Sequence, residues 1–170
     1  KNISLNEIQG GTIRFVLKKE KIKKISKQVE LFLSIEKNSE LYNHAFLNQW
    51  IISIQKNLEK LHAYLANENK RQIPVVGYGA PTKATLLLEL ANLKKNSIDF
   101  IVEDNPLKIQ KYLPKHGIQI KSTSELKKMN KFFIVILAWN FSKDIINKLK
   151  EYDREIVVLI PLPKFKVINI

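Results

Sequence analysis

The sequence predicts an α/β fold: a doubly wound, mostly parallel sheet preceded by a strand and a helical pair. Three observations predict it. Beyond residue 71, short β-branched runs alternate with amphipathic segments in the order strand, helix, strand, helix, strand, helix, strand. One of those runs, Phe132–Leu137, is apolar on both faces, as a strand in the middle of a parallel sheet must be. Before residue 71 the alternation is missing, and apolar residues recur at helical steps of three and four instead.

The elements follow in order. Residues 1–18 read as a strand with a turn: Gly10-Gly11 breaks the chain, and Thr12–Leu17 is β-branched and apolar. A single strand cannot bury itself, so it must pair with a sheet elsewhere in this chain or outside it. Residues 20–36 predict a helix with Ile22, Ile25, Val29, Phe32 and Leu33 on one stripe. Residues 40–66 predict a longer one, capped by Asn38 or Ser39, with Leu47, Ile51, Ile54, Leu58, Leu61 and Leu65 at heptad spacing. That stripe packs on the preceding helix or seals a dimer. Its His44 and His62 lack the clustered partners a metal needs. Asn67–Arg71 is a polar linker.

Ile73–Val76 is then a short strand and residues 82–94 a helix with Leu86, Leu87, Leu90 and Leu93 inward. Ile98–Val102 is a strand. Pro106 suits the first turn of a short helix, and Gly117–Ile120 a short strand. Ser122–Glu125 has the form of a capping box opening a brief helix. After Phe132–Leu137 come a helix over 141–152 and a strand over 155–160, ended by Pro161 and Pro163.

Composition narrows the function. A chain of 170 residues suits one domain, with or without a helical appendage. The absence of Cys excludes disulfides, Cys-ligated zinc, iron–sulfur clusters and thiol catalysis. No apolar run has the length of a membrane span, and no secretory signal is present, so a cytoplasmic protein without membrane contact is expected. Lys1 is not an initiator Met, so a processed chain or a piece of a longer one is expected. The net charge is +13, with all basic residues Lys except Arg14, Arg71 and Arg154. Dispersed Lys, including six between Lys18 and Lys27, predicts weak, salt-sensitive attraction to polyanions without base reading, hence no specific nucleic-acid partner.

One segment carries chemistry. In Val75-Val76-Gly77-Tyr78-Gly79-Ala80-Pro81-Thr82-Lys83, a strand enters a Gly-x-Gly turn and then a helix. Glycines let backbone approach a ligand, and a helix start offers N–H groups and positive dipole to phosphate. The segment is not a P-loop, and Thr82 replaces the third Gly of the dinucleotide fingerprint. A tight connection without ligand fits the same residues. Lys83 opposes the helix dipole unless an anion is near, or is a surface Lys. Glu103-Asp104-Asn105 ends the second strand, where an acid can take ribose hydroxyls or cap a helix. If Val75–Val76 and Phe132–Leu137 are neighbours at the switch point, Gly77–Thr82 and Ala138–Asn140 face one crevice. There Trp139 stacks on a base or packs inward, and Asn140 binds a polar group or caps a helix. No catalytic residue is predicted; His116 has no evident partner.

Taken together, Gly10-Gly11-Thr12-Ile13-Arg14, the 77–83 turn, Glu103-Asp104-Asn105-Pro106, Lys111-Tyr112-Leu113-Pro114 and Ala138-Trp139-Asn140-Phe141 resemble a family. It is the C-terminal domain of S-adenosylmethionine-dependent C-methyltransferases acting on nucleotide-linked deoxysugars. The resemblance implies a Rossmann-like domain over 71–170 that helps hold the sugar nucleotide through Gly77, Tyr78, Gly79, Ala80, Pro81, Thr82, Lys83, Glu103, Asp104, Asn105, Trp139 and Asn140. It implies that residues 1–18 are the last strand of an upstream methyl-donor-binding domain, a partner of this chain, and that 19–70 is a helical pair and linker. S-adenosylmethionine and zinc would belong to upstream domains; no cofactor is expected here. Other classes stay open: a nucleotide-binding or regulatory module without activity, an NAD-dependent oxidoreductase, and a nucleic-acid binder resting on charge alone.

Overall fold

The computed structural model describes residues 2–7, 11–19, 25–66 and 73–170. The chain divides into two compact units, residues 1–51 and 52–170. In the first, β1 (Asn2–Asn6) and β2 (Thr12–Val16) form an antiparallel hairpin, with Ile3 opposite Phe15 and Leu5 opposite Ile13. The strand predicted near residue 12 therefore has a partner within the chain, one the sequence did not reveal. β1 has only two apolar positions, too few to announce a strand. Helix α1 (Lys27–Lys37) begins at Ser26, whose hydroxyl accepts the Val29 N–H at 3.3 Å. The expected helix start at 20 and the lysines at 21, 23 and 24 lie outside the described residues, as do Gly10 and the linker at 67–71. No residue of α1 is buried. Leu5, Phe15, Leu17 and Leu33 are exposed as well.

Helix α2 (His44–Ala66) is capped by Asn43, not Asn38 or Ser39. The Asn43 side-chain oxygen accepts the N–H groups of Ala45 and Phe46. A short 3-10 turn over Glu40–Tyr42 separates the two helices and moves the cap downstream. The heptad stripe divides its use. Leu58, Leu61 and Leu65 are buried in the core of the second unit, whereas Ile51 is exposed. Within the second unit those leucines pack on α3 and the sheet.

The sheet has seven strands in the order β5-β6-β4-β3-β7-β8-β9. They are β3 (Val75–Tyr78), β4 (Phe100–Glu103), β5 (Tyr112–Leu113), β6 (Ile118–Ser122), β7 (Lys131–Ile136), β8 (Glu155–Ile160) and β9 (Lys166–Asn169). The five inner strands are parallel; β5 and β9 run antiparallel at the two edges, so the sheet is mixed. Sequence reasoning missed both edge strands. β5 is two residues long, and β9 follows prolines that read as a terminator.

Helices cover both faces. α2 and α3 (Thr82–Leu90) pack over Ile101, Phe133, Val135 and Leu159; α4 (Ser142–Leu149) and a 3-10 helix (Thr123–Lys128) pack over Val76, Val102, Ile134 and Val158. β7 contributes alternate residues to each core, so its apolar character on both faces is explained. In α3, Leu87 and Leu88 are buried, whereas Leu86 and Leu90 point to solvent, contrary to the sequence reading. The helix ends at Leu90, and Leu93, three residues further on, is buried in the same core beyond the helix end. Residues 106–110 form turns rather than the helix expected at Pro106. Ser122 caps the 3-10 helix, accepting the Ser124 N–H at 3.2 Å.

Asn57, buried on α2, fastens the C-terminal segment: its amide donates to the carbonyls of Ser53 and Pro163 and accepts the Phe165 N–H at 3.0 Å. His62 rests its Nδ1 3.1 Å from the Ala91 carbonyl at the end of α3.

Candidate functional site

β3 and β7 are neighbours, with Val75 opposite Phe133, while the chain leaving β3 turns to β4 on the other side. The connections after β3 and β7 pass to opposite faces of the sheet. A crevice therefore opens at the carboxyl ends of β3, β4 and β7, the position where such sheets hold ligands. A cavity of about 360 Å³ occupies it, lined by Tyr78, Gly79, Pro81, Glu103, Asp104, Ala138, Phe141 and residues of α4.

The glycines of the turn have different tasks. A Cβ on Gly77 would lie 2.8 Å from Leu137 Cδ1 and 2.9 Å from Ile101 Cγ1, so this glycine admits core packing rather than a ligand. Gly79 has φ +86°, and a Cβ there would meet the Ala138 Cβ at 2.7 Å. The turn is consequently fixed by backbone conformation and by the close approach of the β7 loop.

Its N–H groups are largely engaged from within. The Gly79 N–H donates to the Val102 carbonyl at 2.8 Å, and the Ala80 N–H to Glu103 Oε2 at 2.9 Å. The other oxygen of Glu103 accepts the N–H groups of Asp104 and Asn105. Lys108 Nζ joins Glu103 Oε2 to the Ala80 carbonyl. Glu103 thus clips the end of β4 onto the turn after β3. Burial pushes its carboxyl up, but the N–H donors of Ala80 and Asn105 and the ammonium of Lys108 outweigh burial and hold it below the ordinary range.

Asp104 reaches the other way. It accepts the Tyr78 hydroxyl at 3.2 Å and pairs with Lys148 of α4 at 2.8 Å. Burial, then the Asp104 charge, raise the Tyr78 phenol so that it stays protonated. The hydrogen bond to Asp104 raises Lys148. Asn105 turns its side chain onto the Leu107 N–H, outside the cavity. Lys83 lies over the Trp139 ring, 4.0 Å from its centroid. Desolvation lowers its pKa. Trp139 packs against both cores, and Asn140 is exposed beside it; none of these three lines the cavity. Sequence reasoning did not single out Lys108 or Lys148, since each reaches its acid only through the tertiary fold.

A second cavity, about 660 Å³, lies between α3 and the 108–115 loop and is lined by Pro81, Thr82, Leu86, Lys111, Tyr112 and neighbouring residues. The loop is pinned to α3. Lys115 pairs with Glu89, and the buried His116 ring has Nε2 3.3 Å from the Thr85 carbonyl and 3.8 Å from Glu89 Oε1. His116 therefore has partners that its sequence neighbours did not disclose.

Among the described residues no group of three or more His, Asp or Glu side chains could hold a metal ion. Nor is any described helix long and apolar enough to cross a membrane.

A mixed α/β sheet with helices on both faces and a crevice at the carboxyl ends of its inner strands defines an α/β domain, and that crevice is where such folds hold small molecules. The comparison of families narrows this: residues 7–163 match the C-methyltransferase C-terminal domain, and the chain belongs to that family. It is also similar to the C-methyltransferase NovU of Streptomyces niveus, 34% identical over 96 residues. That match covers 56% of this chain and 23% of the relative, so the chain spans only a minor part of that protein's length.

Proposed function

We propose that this chain is the substrate-holding C-terminal domain of a cytoplasmic, S-adenosylmethionine-dependent C-methyltransferase acting on a nucleotide-linked deoxysugar. The observation that carries the reading is the crevice at the carboxyl ends of β3, β4 and β7 in a chain of this family. The Rossmann-like, doubly wound reading is supported by inner strands radiating in both directions from β3 and by helices on both faces. Asp104, with Tyr78 and Lys148, offers hydrogen-bond acceptors and donors suited to sugar hydroxyls. Gly79 and Glu103 act by shaping the wall, and Lys83 and Trp139 by bracing the β7 connection.

On this reading the methyl donor binds upstream, and the 170-residue chain transfers no methyl group. The exposed apolar residues of the β1–β2 hairpin support an upstream domain as its partner. Calorimetric titration of the chain with S-adenosylmethionine and with UDP-, GDP- and dTDP-linked hexoses tests this. Binding of a nucleotide sugar without donor binding is expected. Micromolar donor affinity, or nucleotide sugars that do not bind, would defeat the assignment.

A further inference from the structure

The two cavities differ in charge, and the difference assigns the parts of a ligand. The smaller is lined by three carboxylates, Glu103, Asp104 and Asp144, against Lys108 and Lys148. A diphosphate there would face net negative charge, and Glu103 already holds the Ala80 N–H that a phosphate would need. The larger cavity is the reverse: Lys108, Lys111 and Lys115 stand against Glu89 alone. Lys115 is paired with Glu89, and Lys108 with Glu103. Lys111 has no ion-pair partner among the described residues and is the cation left for a ligand.

The rest of that cavity is apolar. Leu86 is 60% and Tyr112 61% exposed, yet both line a concave surface, where a planar ring would remove them from water. Its volume lies within the range of small-molecule sites. Pro81 and Lys108 line both cavities, so one ligand can run from one to the other.

We propose that the nucleoside diphosphate end of the ligand sits in the cavity between α3 and the 108–115 loop. The base lies against Tyr112 and Leu86, the diphosphate lies near Lys111, and the sugar passes Pro81 into the acidic cavity at Asp104. This rests on the sugar-nucleotide reading and moves the diphosphate off the glycine turn.

The test is calorimetry of the 170-residue chain with UDP, GDP and dTDP at fixed ionic strength. For whichever binds most tightly, Tyr112→Ala is expected to weaken binding on the order of 5- to 100-fold, the scale of one base–aromatic stack. Lys111→Glu is expected to weaken it about 10-fold or more through charge reversal. Lys150→Ala, on an exposed lysine that lines neither cavity, controls for the general positive charge and is expected to change affinity less than about twofold. Leu86→Glu and Lys111→Glu alter exposed positions, so they decide the matter if Tyr112→Ala fails to fold by circular dichroism. If the parent binds and these variants bind like Lys150→Ala, the placement is wrong while the sugar-nucleotide reading survives. If the parent binds none of the three diphosphates at millimolar concentration, that reading falls as well.

Discussion

Glu103→Gln should loosen the connection between β3 and α3. The parent carboxylate accepts four hydrogen bonds, from the N–H groups of Ala80, Asp104 and Asn105 and from Lys108. A glutamine keeps one acceptor and turns an NH2 group toward N–H donors on the other side. Asp104 and Asn105 are exposed, so water can take their N–H groups. Ala80 is 8% exposed, and its N–H has no such recourse. Glutamine therefore keeps its oxygen on Ala80 and Lys108 and leaves the Asp104 and Asn105 N–H groups to water, and exchanging charge-assisted bonds for neutral or lost ones brings the expected loss to about 2–3 kcal/mol. For a chain of this size that lowers Tm by roughly 5–10 °C.

The pH dependence has a defined sign. The folded-state pKa of Glu103 lies below its unfolded value, which is near 4.5. Its contribution is therefore complete above pH ~4.5 and is lost as pH falls through the folded value. The gap between parent and Glu103→Gln should narrow below that pH, since protonation turns the parent into a neutral side chain. Thermal melts from pH 7 to 3, with amide exchange at Ala80, measure both effects. Equal melting at pH 7, or a gap as large at pH 3 as at pH 7, would refute the clip.

Two further outcomes are expected. Gly77→Ala should destabilise by about 1–3 kcal/mol through overpacking against Leu137 and Ile101, without any ligand present; urea unfolding reads this, and an unchanged midpoint would restore Gly77 as a ligand-facing residue. Lys83→Gln should lose only the ring contact, about 0.5–1 kcal/mol, and shift the fluorescence of Trp139 while nucleotide affinity changes less than about threefold; a larger loss of affinity would put Lys83 on the phosphate.

The sequence by itself determined the order of inner strands and helices in the second unit, because local periodicity and turn chemistry specify these elements one at a time. It also located the turn after β3 and the apolar strand that becomes its neighbour, since a strand buried on both faces can only be central. Tertiary structure decided the rest. Glu103 meets Ala80 across 23 residues, Lys148 meets Asp104 across 44, and Asn57 reaches Phe165 across 108. No local spacing encodes such contacts. The edge strands β5 and β9 exist because a sheet already stands beside them, and β1 because β2 does. The charge difference between the two cavities likewise arises only when α3, α4 and the ends of the strands bring separate lysines and carboxylates to the two sides of Pro81.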